Sequence, residues 1–255
     1  MIEIPSGRYF ISHSYKDSVI RDEMINLLPV DVEPFIFPPI KATPAEFVSN
    51  HLIDAILKCN GMIYLNEGQS AKSFWVAFER DYALRANKPV FAYTPSACII
   101  ESHEAPPLDL AVFPSYKHHE ESQVQTVLEF MRKNRYFDLW IDRERLKIGD
   151  MWADKLEEGI SDFIKRGGYV VVFWSGVSSQ NEWIMKETLS GLQQNRVVVA
   201  GMEDASIPDF ILNLESAYYV QLVDENGLSL NRVDDIIVRL YWLIFRNQYP
   251  ELVYE

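Results

Sequence analysis

Residues 61–93, GMIYLNEGQSAKSFWVAFERDYALRANKPVFAY, decide the fold class. Gly61 to Leu65 is a short apolar run that reads as a buried strand, Ser73 to Ala86 has helical period, and Pro89 to Tyr93 returns to strand. Upstream the same alternation holds. Arg8 to Ser12 (RYFIS) is a strand, HSYKD a polar turn, and Ser18 to Leu28 an amphipathic helix ended by Pro29. Val32 to Phe37 is strand-like, and Glu46 to Leu57 sets Phe47, Leu52, Ile53, Ile56 and Leu57 on one helical face. Strands alternating with helices in this way predict an α/β fold with a mostly parallel sheet and helices on both faces.

After a Pro-containing segment from Thr94 to Pro107, the order repeats. Strands are expected at Leu108–Pro114, Phe137–Asp142, Gly168–Trp174, Arg196–Met202 and Ala217–Leu222. Helices are expected at Glu121–Lys133, Met151–Lys165, Asn181–Leu192 and Arg232–Phe245. Two short matches mark the repetition: SYK at Ser14–Lys16 and Ser115–Lys117, and WxxxE at Trp75–Glu79 and Trp183–Glu187. Either match alone is within the reach of chance; both, in the same order, point to a duplicated α/β unit of ordinary domain size. EAPP at Glu104–Pro107 is the break between them, giving domains 1–104 and 105–255.

Composition narrows the function. The 255 residues are 48% hydrophobic and 24% charged, which fits a globular chain and excludes general disorder. A formal net charge of -13 leaves no electrostatic footprint for a phosphate backbone, so nucleic acid is not expected as a partner. Cys59 and Cys98 sit in neither a CxxC nor a zinc-ligand spacing and read as reduced thiols. The opening MIEIPSGRYF lacks the pattern of a secretory signal, and no apolar run approaches the ~20 residues of a membrane span. A cytoplasmic location with no membrane contact is the expectation. No phosphate loop, dinucleotide fingerprint or GxSxG elbow is present. His118, His119, Glu120 and Glu121 are adjacent residues that do not converge on one metal, so no metal site is expected.

YFISHSYKDS, LNEGQSAKSFWVAFERDYAL and KPVFAY together resemble the boxes of a TIR domain: a strand ending in a Ser/His/Tyr-rich loop with an aspartate, and a helix opening Ser-x-Trp-x-x-x-Glu, here Ser73, Trp75 and Glu79. The second half is similar to the same family through LWIDRERLKIGDMWADKLEEGI (Leu139–Ile160) and WSGVSSQNEWIMKE (Trp174–Glu187). It departs in two places: AVFPSYKHH loses the first-box aspartate, and Asn181 stands in the serine's place. The first half has FPPIKATPAEF where a glycine-centred second loop belongs. The resemblance implies two flavodoxin-like units. It also implies one of two functions: a scaffold that recruits other TIR domains or self-associates, or an enzyme that cleaves NAD, in some members cyclising the product into a messenger read by a downstream effector in antiphage defence.

Cleaving the nicotinamide–ribose bond needs little from a protein. The leaving group departs from a cationic pyridinium, so no general acid is required, unlike ordinary glycoside hydrolysis. One carboxylate beside the ribose suffices to stabilise oxocarbenium-like charge. Trp75 and Glu79 share a helical face, as do Trp183 and Glu187. Such a pair on an arbitrary helix is more often a packed indole and a surface acid; the resemblance makes Glu79 the first candidate catalytic carboxylate and Glu187 the second. It further implies His13, Ser14, Tyr15 and Lys16 toward the pyrophosphate, Ser73, Trp75 and Trp183 at the pocket wall, and Asp142 and Trp152 from the second half's loop. NAD is then a substrate, and no cofactor is called for. A catalytically silent TIR pair and a nucleoside deoxyribosyltransferase-like enzyme, which also sets a glutamate on ribose, are the alternatives.

Overall fold

A computed structural model describes residues 3–39, 48–116, 121–139, 161–176, 178–203, 208–212 and 218–253. The chain divides into two compact units, residues 1–108 with 248–255, and residues 109–247. Both are α/β, with parallel strands flanked by helices.

Unit one runs β1 (Gly7–Ser12), α1 (Ser18–Asn26), β2 (Val32–Phe35), α2 (Val48–Lys58), β3 (Gly61–Leu65), α3 (Phe74–Arg85), β4 (Val90–Thr94) and β5 (Ile99–Ser102). Its sheet is ordered β2-β1-β3-β4-β5. The first four strands are parallel, because a helix carries the chain back between each pair. β3 is buried at every position, as a central parallel strand covered on both faces must be. Along β1 the period of two sends Tyr9 and Ile11 into a core with Met24, Ile63, Leu65 and Phe91. It sends Phe10 and Ser12 to the opposite face, where Ser12 meets α3. β5 departs from expectation: the Thr94–Pro107 segment turns at Cys98, which holds a left-handed φ of 57°, and returns antiparallel to β4. Its Ile99, Glu101 and Ser102 are exposed, so an edge strand of this kind leaves no apolar signal.

Unit two runs β6 (Val112–Ser115), α4 (Glu121–Arg135), β7 (Tyr169–Trp174), α5 (Glu182–Gln193), β8 (Val197–Gly201), α6 (Asp209–Leu212), β9 (Tyr219–Gln221) and α7 (Val233–Gln248). The sheet β6-β7-β8-β9 is parallel throughout. Phe113, Val170, Val172, Trp174, Val197 and Val199 form its core with Ile184 and Ile211 from the covering helices. On α4, Arg135 Nε donates to Asp234 of α7 at 2.8 Å, a buried charge pair joining two helices. Residues 137–139, expected to start a strand, have none, and 140–142 lie outside the described residues, as does 151–160 of the expected helix.

Register corrects one reading of the sequence. Ser12 ends β1 opposite Tyr64 of β3, and Ser115 ends β6 opposite Val172 of β7. The counterpart of Ser115 by strand position is therefore Ser12 and not Ser14, so the two SYK tripeptides occupy different places in their units. The WxxxE segments do occupy matching places. Ser73 Oγ accepts from Val76 N–H at the start of α3, and Asn181 Oδ1 accepts from Ile184 N–H at the start of α5. Each helix is followed by an asparagine in the left-handed region, Asn87 and Asn195, both with φ 55°.

The final residues, expected with the second half, lie with unit one. Val253 pairs with Ser73 as a parallel bridge: Phe74 N–H donates to Val253 O at 3.1 Å, and Val253 N–H donates to Lys72 O. The first amide of α3 is one of the donors a helix cannot satisfy internally, and this segment supplies its acceptor.

Candidate active site

In unit one the strand order reverses between β1 and β3, since β2 lies to one side of β1 and β3 to the other. In open α/β sheets, the crevice beyond the carboxyl ends of the strands at such a reversal is where ligands bind. A cavity of about 670 Å³ lies there. Its floor and walls are Phe10 and Ile11 of β1, Phe37 and Pro39 beyond β2, and Leu52 of α2. Its polar rim comes from the loop after β1, with His13, Ser14, Tyr15 and Lys16, and from α3, with the capping Ser73, Trp75 in its first turn and Glu79 in its middle. The seven residues that sequence reasoning selected from the first half therefore surround one hollow.

Two loops are fastened to each other to make it. Ser14 N–H donates to Ser70 Oγ at 2.9 Å, and Ser70 N–H and Oγ–H both donate to Asp17 Oδ2 at 2.6 Å. Asp17 and Ser70 are buried, so this carboxylate ties the β1 loop to the loop leading into α3. Gly68, at φ +70°, lets the backbone pass: a Cβ there would stand 3.0 Å from both Asp17 oxygens. Tyr15 Oη donates to Phe37 O at 2.5 Å, drawing the segment beyond β2 against the same loop. Burial, with the Glu79 carboxyl adding to it, pushes that phenol up to about 12.

His13 is held in one neutral form. Its Nε2 lies 2.9 Å from Arg21 Nη1, and guanidinium can only donate, so Nε2 accepts and Nδ1–H faces Ile11 O at 3.3 Å. Burial first, and the Arg21 charge with it, lower its affinity for a second proton. The ring edge meets Tyr15 at 5.3 Å between centroids. Trp75 packs edge-on against Phe74 and Phe78 at 5.1 and 6.2 Å, which fixes the indole at the mouth of the hollow.

Glu79 is the unusual group. It is 8% exposed, and Ser12 Oγ–H donates to its Oε2 at 2.5 Å. Burial pushes its carboxyl up to about 8 from an ordinary 4.5, against the smaller downward pull of the Ser12 hydrogen bond. A carboxyl beside a cavity that stays protonated near neutral pH until an opposite charge offsets its desolvation is suited to a cationic ligand. Ser12 was missed by sequence reasoning; its signal is a polar residue closing the otherwise apolar strand RYFIS, repeated by Ser115.

In unit two, Glu187 is also buried, 6% exposed on α5, beside Thr188, whose Oγ1 donates to Ile184 O. It stands as far along the chain from Val172 as Glu79 stands from Tyr64. The side chain of Trp183, and Asp142, Trp152 and the His118–Glu120 run, lie outside the described residues. Among the described residues no group of three or more His, Cys, Asp or Glu side chains could hold a metal, and no helix is long and apolar enough to cross a membrane.

The parallel sheet and its loops define an α/β unit of the kind that TIR domains adopt. Residues 112–236 match the family model described as TIR domain, so a TIR domain is found in unit two. Domains of this class serve in signalling, commonly by associating with one another, or cleave NAD. No curated protein matches the sequence.

Proposed function

We propose that unit one is a second, diverged TIR-like unit and that it cleaves NAD at the nicotinamide–ribose bond, with Glu79 as the catalytic carboxylate. The observation that carries this is a buried, protonation-shifted glutamate sharing an aromatic-walled cavity with Trp75 at the reversal point of the sheet. Kinship between the units is supported by the matched Ser12–Tyr64 and Ser115–Val172 registers and by the matched helix caps.

The chemistry follows from charge. A pyridinium ribosyl group entering the cavity brings the positive charge that the ionised Glu79 lacks, so substrate binding favours loss of its proton. As the C1′–N bond breaks, its electron pair goes to the ring nitrogen and nicotinamide leaves neutral. The positive charge passes to the ribosyl carbon and ring oxygen, where a carboxylate in low dielectric stabilises it best. Water, or a nucleophile within the same substrate, then closes onto C1′. Trp75 offers a flat face to the nicotinamide or ribose, while Lys16 and Ser14 offer donors toward the pyrophosphate. Antiphage defence through a cyclic messenger is one setting for such an activity.

A second reading concerns unit two alone. The family match falls on residues 112–236, and TIR domains commonly associate with one another, which favours unit two as the part that associates with other TIR domains.

The test is to incubate purified protein, concentrated enough to self-associate, with NAD and follow free nicotinamide by NMR. Stoichiometric nicotinamide with ADP-ribose or a cyclised product is expected. No release from NAD, together with base exchange on deoxynucleosides, would instead identify a deoxyribosyltransferase.

A further inference from the structure

Resting on the reading of Glu79 above, we infer that Ser12 is the positioning residue of this site: its hydroxyl orients the Glu79 carboxyl and favours the ionised form that meets substrate. Among the described residues, Ser12 Oγ is the one hydrogen-bond donor to that carboxyl, at 2.5 Å, and it is 1% exposed. The bond joins the last residue of β1 to the middle of α3, so the acid is held by the sheet and not by its own flexible stem. With Oε2 engaged by Ser12, Oε1 remains for the ligand. A hydroxyl can also rotate to accept from the neutral acid, so neither form leaves a buried group unsatisfied, but the bond it donates to the carboxylate is charge-assisted and the stronger of the two, which favours the ionised form.

A second observation supports the role. Ser115 ends β6 in the register position of Ser12, is buried, and shares its unit with the buried Glu187. A hydroxyl closing the first strand and an acid buried on the helix that follows its register partner, β3 in one unit and β7 in the other, thus occur together in both units.

The surrounding groups do not substitute for Ser12. From the β1 loop, His13 is neutral and engaged by Arg21 and the Ile11 carbonyl, Tyr15 donates to Phe37 O, and Lys16 lines the cavity. On β3, the Tyr64 hydroxyl lies 3.1 Å from His103 Nδ1 with Arg80 of α3 over its ring, and on α3 Asp81 accepts from Leu108 N–H. α2 brings Leu52 to the wall, while its His51 and Lys58 are exposed and Asp54 is half-buried.

The experiment compares Ser12→Ala with Ser12→Thr in the full chain. Two readouts are used: the pH profile of nicotinamide release, and the 13C chemical-shift titration of the Glu79 side-chain carboxyl in ligand-free protein. Ser12→Ala is expected to move both midpoints up by about one pH unit and to lower kcat/KM about tenfold near pH 7, in line with loss of a charge-assisted hydrogen bond. Ser12→Thr, which keeps the hydroxyl on a β-compatible side chain, is expected to hold the wild-type midpoints. If Ser12→Ala does not fold, Ser12→Cys, a weaker donor of similar size, is expected to show a smaller upward shift. A carboxyl midpoint unchanged in Ser12→Ala, or in Ser12→Cys where that variant is needed, overturns the inference. Wild-type protein that releases no nicotinamide refutes the assignment of Glu79 instead, and the carboxyl titration then still decides the Ser12 pairing.

Discussion

Glu79→Gln should separate stability from activity in opposite directions. The wild-type carboxyl is held at about 8 in the folded chain against 4.5 ordinarily. An acid whose folded value is raised stabilises the fold fully below its unfolded value and loses that contribution as pH climbs through the folded one. The window is therefore pH 4.5 to 8. At 1.36 kcal/mol per pH unit, wild-type unit one loses about 3 kcal/mol between pH 4.5 and 7 and about 5 kcal/mol by pH 9, as an order of magnitude. Glutamine has nearly the same shape and no charge to desolvate, and Ser12 Oγ can turn to accept from its amide. Glu79→Gln should thus match wild type near pH 4.5 and exceed it by several kcal/mol at pH 9. Hydrogen exchange as a function of urea, read on peptides covering β1 and α3, reports unit one without interference from unit two. Parallel stabilities at every pH, or a Gln variant weaker at pH 9, would refute the argument that Glu79 is ionised at the expense of the fold.

Other consequences are local. Gly68→Ala forces a left-handed alanine and a Cβ 3.0 Å from the Asp17 carboxylate, so unit one should lose about 1 to 3 kcal/mol; thermal unfolding equal to wild type would contradict the loop fastening. Val253→Pro removes the N–H given to Lys72 O and should cost about 1 kcal/mol, seen as faster amide exchange at the start of α3; unchanged exchange there would mean the final segment does not cap the helix. Arg135→Leu leaves Asp234 buried without its guanidinium and should destabilise unit two by about 3 to 5 kcal/mol, whereas unfolding of α4 and α7 indistinguishable from wild type would show the pair to be dispensable.

The parts legible in the sequence are those with an unbroken physical signature. GMIYL and YVVVFW are buried on both faces, so apolar runs announce them, and α3 and α5 keep their caps and period. β5 is exposed at the sheet edge and pairs antiparallel after a tight turn at Cys98, and neither fact has a local pattern. The SYK repeat misled because tripeptide identity carries no register, which is fixed by which residue of β6 faces which residue of β7. At the site, Trp75, Glu79 and the loop residues 13–16 were readable as a motif. Ser12 was not, since its role depends on a strand and a helix far apart in the chain meeting through one hydroxyl. Asp17 was visible as a loop aspartate, yet its function as the bond between two loops exists only once Ser70 is brought beside it.

Under the proposed function one glutamate, in unit one, performs the bond cleavage. Its most direct measurement is the initial rate of nicotinamide release from NAD by Glu79→Gln and Glu187→Gln under identical conditions. Glu79→Gln is expected to fall at least a hundredfold below wild type, as loss of a principal electrostatic contributor requires, while Glu187→Gln keeps wild-type turnover. Full activity in Glu79→Gln with loss in Glu187→Gln would contradict it and move the reaction to unit two.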